Sequence, residues 1–317
     1  MNSEFIKRMY RGLFRHAEWN IGVVYAPIST FLETNARPLV SWFPPRKRGN
    51  FLADPFAVVM DGTLHILCEE FDYCAHKGRI VSIEVSDWRH PSTPKVAIEL
   101  PVHMSYPYLL ENQGDIYCIP ETHQAGEIGL YKAREFPHEW VKCASLICNF
   151  PGVDATVLQY EGRWWLMCTT ARWAPLFVWY AQDLLGPWRP HSGNPVKTDI
   201  RSSRPAGTPF VHAGHLYRPA QDCSRTYGGS IVLNRVTSLT PEEFEEQPAA
   251  IIEPFENGPY PDAIHTVSAV GNITLIDGMR RRFVPSALQQ NVRQVRRGFG
   301  STRRSIRPNA DLATPGR

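Results

Sequence analysis

The run DPFAVVMDGTLHILCEE, Asp54–Glu70, reads as two extended segments joined at Asp61-Gly62 and ending in paired carboxylates. An Asp-Gly pair between apolar runs is the strongest short-range hairpin signal, because a type I′ turn needs positive φ at both central residues. The unit recurs four times. YPYLLENQGDIYCIPE spans Tyr106–Glu121, DATVLQYEGRWWLMCT spans Asp154–Thr169, AGTPFVHAGHLYR spans Ala206–Arg218 and AIHTVSAVGNITLID spans Ala263–Asp277. Their turn glycines, Gly62, Gly114, Gly162, Gly214 and Gly271, lie 52, 48, 52 and 57 residues apart.

A β-type repeat of roughly 50 residues is the signature of a β-propeller with long blades. Each blade needs four strands, and segments such as GRIVSIEV (78–85) and LFVWYA (176–181) supply the outer ones. Blades pack face on face, so their strands are buried on both sides. This accounts for unbroken apolar runs such as Trp164–Cys168, where a half-exposed strand would alternate. The sequence thus predicts an all-β, five-bladed β-propeller. The competing architecture is a β-sandwich whose turns share this spacing by coincidence.

Three segments follow. Residues 1–18 form an arm with a short amphipathic helix, Phe5, Met9, Leu13 and Phe14 on one face. Residues 19–283 form the propeller. Its first strand, from Trp19, is expected to close the ring against the last blade and so remove an exposed sheet edge. Residues 34–50 read as a Pro/Arg/Lys-rich connection. Residues 284–317 are a basic tail without propeller structure.

Hydrophobic residues make up 43% of the 317, enough for a large core, while 27 prolines and 22 glycines suit a chain of many turns. The net charge of +3 hides an asymmetry: residues 280–317 carry ten arginines against one acid, Asp311. Such a tail suits an anionic surface or a solvated terminus. Apart from Phe299, no aromatic residue interleaves with those arginines, so nucleic acid is not an expected partner. The seven cysteines are odd in number and contain no CxxC, which disfavours a disulfide framework or a zinc site. Cys68, Cys118 and Cys168 fall on the second strand of three hairpins and read as small buried residues. There is no signal-peptide pattern and no apolar run of ~20 residues for a membrane span, so a cytoplasmic protein is expected. No dinucleotide, P-loop, zincin or nucleophile-elbow motif is present, and neither a cofactor nor a metal is expected.

Hairpin positions equidistant from the turn lie side by side. Counting eight residues before each glycine and seven after pairs Asp54 with Glu69, beside Glu70, then Tyr106 with Glu121 and Asp154 with Thr169. Arg204 and Asp222 lie close to these positions in the fourth unit, Asp262 and Asp277 in the fifth. Inner strands surround one axis, so these side chains converge at one mouth, with Arg204, Arg218 and His265 as basic members. Converging carboxylates suit glycoside chemistry, in which one acts as base or nucleophile and another, with a raised pKa, protonates the leaving oxygen. The candidate catalytic residues are Asp54, Asp154, Glu121 and Glu70. The candidate substrate-binding residues are Arg204, Arg218, Asp222, Asp262, His265 and Tyr106. An Asp ahead of a strand also serves simply to accept loop N–H groups, and lone His and Arg residues often bond neighbouring carbonyls.

The motif ADPF (53–56), Asp154 opening the third unit and LGPWRP (185–190) resemble the five-bladed propellers of glycoside hydrolase family 43. Across residues 19–283 the chain is similar to the N-terminal domain of the glucosamine inositolphosphorylceramide transferases. That resemblance rests on WNIG (19–22), ADPF, SYPY (105–108), PET (120–122) and SRPAG (203–207). The family 43 pattern implies Asp54 as general base and Asp154 as the residue that orients and tunes the acid. That family's acid is a Glu before Gly-Pro in blade four. Here the place reads RPAGTP (204–209) and holds no carboxylate. The acid would then come from Glu121, Glu70 or Asp222.

Three functions follow. The first is an enzyme hydrolysing or transferring a glycan or glycoside, with a phosphorolytic variant in which arginines hold phosphate or another anionic group near Arg204. The second is a non-catalytic sugar-binding or scaffold domain in glycan or glycolipid assembly. The third is an interaction propeller, since the fold implies no function by itself.

Overall fold

The structure is a computed structural model that describes residues 15–34, 36–46, 49–170 and 175–283. Strands β1 (Arg15–Val24) and β2 (Ser41–Trp42) come first. Blade one holds β3 (Asn50–Met60), β4 (Thr63–Asp72), β5 (Lys77–Val85) and β6 (Lys95–Ile98). Blade two holds β7 (Ser105–Asn112), β8 (Asp115–Glu121), β9 (Glu127–Glu135) and β10 (Glu139–Cys148). Blade three holds β11 (Val153–Tyr160), β12 (Arg163–Thr169), β13 (Phe177–Ala181) and β14 (Arg189–Pro190). Blade four holds β15 (Phe210–His212), β16 (His215–Asp222), β17 (Ser230–Leu239) and β18 (Phe244–Ile252). The last two strands are β19 (Val267–Val270) and β20 (Ile273–Phe283). Among the described residues the sheets number five with four strands each, the fifth in the order β19-β20-β1-β2. The protein is a five-bladed β-propeller closed by its N-terminal strand.

The closure differs in detail from expectation. The N-terminal side contributes two strands to blade five, because β2, inside the stretch read as a connection, pairs with β1 at Gly22↔Trp42 and Val23↔Ser41. Of the arm expected over 1–18, residues 1–14 lie outside the described residues, and Arg15–Glu18 are strand rather than helix. Glu18 is held there by Arg280 of β20, whose Nε and Nη2 donate to it at 3.2 and 2.8 Å. The tail from 284 lies outside the described residues. Glu18–Arg280 form one compact unit, and everything below concerns that unit. No helix of the described residues is long and apolar enough to cross a membrane.

The hairpin turns follow the sequence in four units. Asp61-Gly62, Gln113-Gly114, Glu161-Gly162 and Ala213-Gly214 all have positive φ at both residues, as type I′ turns require. In the fifth unit Val270 pairs with Ile273, so Gly271 stands first in its turn, one step earlier than the other glycines. Cys68, Cys118 and Cys168 are wholly buried between blades, and all seven cysteines are free.

Below the mouth the axis is sealed. Thr208 N donates to Val267 O at 3.0 Å and Val267 N to Ala206 O at 2.8 Å, joining blades four and five by main chain alone. A Cβ at Gly207 would stand 1.7 Å from the Val267 carbonyl oxygen, so only glycine permits this approach. The gain is closure of the ring's interior. The cost is shortened inner strands β15 and β19, of three and four residues. A Gly207→Ala protein is expected to lose about 4 kcal/mol or more of stability, or to fail to fold, as read by urea unfolding of the purified chain. Unchanged unfolding would show that the blades meet differently.

Candidate functional site

Three blades carry the same irregularity at the mouth. The ladder shifts register between Ala53 and Phe56, between Ser105 and Tyr108, and between Val153 and Thr156. At each bulge one non-glycine residue takes a left-handed conformation: Asp54 at φ 53°, Tyr106 at 43° and Asp154 at 54°. Such residues are uncommon and cost free energy, and a bulge re-aims its side chain. Each freed amide finds an acidic acceptor in the neighbouring blade. Asp54 N donates to Asp277 Oδ2 at 3.2 Å, Tyr106 N to Asp54 Oδ2 at 3.2 Å and Asp154 N to Glu121 Oε2 at 3.4 Å. Asp154 Oδ2 in turn accepts from Gln221 Nε2 at 3.0 Å and from Arg204 Nε, both of blade four.

A cavity of about 180 Å³ opens above this belt. Of the residues expected at the mouth, it is lined by Asp54, Glu121, Asp154, Arg204 and His265. Glu70 is excluded. It alternates with Glu69 along β4, so it points to the other face, where Arg46 and Arg79 pair with it. Arg218 is also excluded: it is fully buried and donates to Glu246 at 2.6 and 2.8 Å and to Ser202 O at 2.5 Å. That buried pair, with Lys197 2.7 Å from the same carboxylate, ties β16 to β18 away from the mouth. Asp222 accepts from the Ser224 amide at 2.8 Å, and neither it nor Asp262 lines the cavity. Tyr106 lies beneath it, with its hydroxyl at the axis.

Sequence counting placed Glu69 at the mouth, seven residues after its turn glycine as Glu121 is, but the catalytic candidates named Glu70 in its place. Sequence reasoning passed over His103 and the aromatic walls Trp19, Phe51, Phe71 and Tyr227. Those aromatics come from strand ends and loops with no shared spacing, so periodicity carried no sign of them.

Burial and charge divide the acids. Burial, with Asp54 and Glu121 nearby, holds the Glu69 carboxyl well above the usual range. Burial also raises Asp54 against the pull of His265, and pushes Asp154 up to about 8 against Arg204. At Glu121 burial is outweighed by the hydrogen bond from His123, at 3.0 Å, and by Arg204, so this carboxyl is held below its range. The two carboxyls are therefore pushed apart, Glu121 toward the anion and Glu69 toward the protonated acid. His103, whose pKa burial lowers, accepts the Gly78 amide at Nδ1 and stands with Nε2 3.6 Å from Glu69.

His265 sits between two acids, Nδ1 at 2.6 Å from Asp277 and Nε2 at 3.7 Å from Asp54. Burial opposes its charge, but Asp277 and Asp54 outweigh that and raise its pKa. Asp54, His265 and Asp277 offer three ligand atoms within 4.8 Å of one another, the spacing of a cation site. Their oxygens already have donors, however. Asp277 Oδ1 accepts from the amides of His265 and Thr266, each at 3.0 Å, and Asp54 Oδ1 from the Thr266 hydroxyl at 2.6 Å. The carboxylate oxygens are thus engaged by the protein's own donors, while His265 Nδ1 meets Asp277 as a close contact without a well-aligned hydrogen bond.

The family described as Glucosamine inositolphosphorylceramide transferase 1, N-terminal, matches residues 34–256, which carry four of the five repeat units. The chain belongs to this family. Glucosamine inositolphosphorylceramide transferase 1 of rice (Oryza sativa subsp. japonica) is 33% identical over 231 residues, covering 70% of this chain and 30% of that protein. The Arabidopsis thaliana protein of that name is 34% identical over 206 residues, covering 62% and 27%. The chain thus spans under a third of the length of the family members it matches. Among solved structures, the family 43 β-xylosidase/α-arabinofuranosidase CoXyl43 from a compost metagenome superposes with a TM-score of 0.53 at 14% identity, covering 75% of this chain and 92% of that one. A β-1,2-mannobiose phosphorylase from Listeria innocua gives 0.50 at 10%, covering 78% and 94%. These two share the fold.

Because the folded-state pKa of Glu69 is raised, its favourable contribution is complete below the unfolded value and is lost as pH rises through the folded one. Glu69→Gln should therefore have a higher Tm than the parent at about pH 8 and no advantage at about pH 4. Parallel pH profiles of Tm would show that Glu69 is not held protonated.

Proposed function

We propose that this propeller binds a sugar at the mouth and carries acid–base chemistry on its glycosidic bond. One observation carries the reading: Glu69 and Glu121, at matching positions of adjacent blades, face one aromatic-walled cavity with their protonation pushed apart. Two acids so divided are the pattern of a proton donor and a base. Aromatic walls suit the C–H faces of a sugar ring, and carboxylates suit its hydroxyls.

In the step itself Glu69 gives its proton to the leaving oxygen as the bond from that oxygen to the anomeric carbon breaks. Glu121 takes the proton of the incoming hydroxyl, whose oxygen forms the new bond to the same carbon. With water as acceptor this is hydrolysis; with a second sugar it is transfer. The family 43 resemblance gives the base's role to Asp54. Glu121 is preferred because it is the acid held ionised, whereas Asp54 is raised and bound to Thr266 and the Tyr106 amide. Asp154, locked by Arg204 and Gln221, positions Glu121 through its own amide.

A binding-only role is the second reading. It is favoured by Arg204, a cation at the place where family 43 carries its acid. Arg204 is less suited to a free phosphate, since Asp154 occupies its Nε and its guanidinium lies 5.1 Å over the Tyr227 ring.

Incubation with a panel of aryl furanosides and pyranosides, with and without phosphate, decides between these. Turnover should fall roughly 10²–10⁴-fold in both Glu69→Gln and Glu121→Gln. Its pH profile should be bell-shaped, with the acidic limb below and the basic limb above ordinary carboxylate values. Turnover that survives both substitutions sinks the assignment, and sugar binding without turnover establishes the binding role.

A further inference from the structure

We infer that the site accepts one terminal sugar residue, end-on, and that this protein works at the tips of glycans rather than within them. The inference rests on the sugar-site reading above and adds the mode of engagement. Its ground is the floor of the cavity. The Tyr106 side chain starts from blade two and crosses the axis. Its hydroxyl accepts from the Gly207 amide of blade four at 2.7 Å and lies 2.9 Å from Thr156 Oγ1 of blade three. Main-chain bonds between Ala206–Thr208 and Val267 fill the remaining side, and the Thr266–Asp54 bond spans blades five and one. Tyr106, Ala206, Thr266 and Val267 have no exposed surface, so nothing reaches them from either end of the ring.

The propeller axis is therefore not a passage, and a chain cannot thread it. The walls point the same way. Trp19 stacks on His265 at 4.0 Å and 19°, and Tyr227 meets the same ring edge-on at 5.4 Å. Phe51 and Phe71 stack at 5.0 Å on the blade-one side. Blade two adds His103 beside Glu69. Side chains from all five blades bound a space of about 180 Å³ that is open on one side, so a sugar chain entering it can continue only back toward solvent. A ring that enters from the open side meets a closed inner end, with Glu69 and Glu121 among the lining side chains, and the rest of the glycan then extends into solvent.

The test is a homologous series of xylose, arabinose, galactose, mannose and glucosamine saccharides, from one to four residues, titrated calorimetrically and incubated with the intact chain. For the sugar that binds, mono- and tetrasaccharide should have Kd values within about threefold, because added residues gain no contact. Tetrasaccharide should be shortened one residue at a time, and capping its non-reducing end should abolish binding. In a chain that binds without turnover, the length series and the cap decide the question by themselves. A tenfold or larger gain per added residue, equal binding of capped chains, or di- and trisaccharide as first products would overturn end-on binding while leaving the sugar site intact. Failure of every saccharide to bind would overturn both.

Discussion

The structure depends on one repeated interaction: a buried carboxylate from one blade accepting the amide of the next blade's bulge. Asp277 holds Asp54, Asp54 holds Tyr106 and Glu121 holds Asp154. A bulge orphans a main-chain donor, and leaving it unpaired in the interior would cost about 1–3 kcal/mol. A bond to a charged acceptor removes that cost and is stronger than a neutral one. It also adds a polar link between adjacent blades to their apolar contact and to side-chain bonds such as Thr266–Asp54 and Tyr106–Thr156. The belt is thus both the hoop of the ring and the base of the cavity.

This economy has a consequence. The acids that hold the ring together stand close to one another away from water, so they cannot all ionise cheaply. Their environments separate them. Arg204 and His123 hold Glu121 toward its charged form, His265 compensates Asp54 and Asp277, and burial among other acids pushes Glu69 toward its protonated form, beside a His103 whose own charge burial disfavours. The set of protons from which acid–base chemistry could be drawn is therefore a by-product of closing the ring. The Arg218–Glu246 pair shows the contrasting case. It is equally buried, but each charge is matched, and it serves only to fasten blade four.

Much of the fold was legible in the chain. Turn glycines at a near-constant interval announced the blades, because hairpin turns demand positive φ whatever surrounds them. Asp54 and Asp154 showed their shared phase for the same reason, and Glu121 followed by counting from the turn. Counting put Glu69 at the mouth, and the choice of Glu70 as a catalytic candidate failed because successive residues of β4 face opposite ways, which turns Glu70 to Arg46 and Arg79. Sequence reasoning failed again in blade four. There Arg218 looked like a mouth residue, but β16 turns it outward to Glu246.

The sequence by itself determined what local backbone chemistry can dictate: five turns, strands buried on both faces, and acids at the strand ends. Only the tertiary structure decided which acids share a cavity, which of them keep a proton and where the axis is blocked. Those outcomes come from desolvation and from contacts between residues as distant as Asp54 and Asp277, or Tyr106 and Gly207. Neither spacing nor composition records such contacts, because they exist only once the ring has closed.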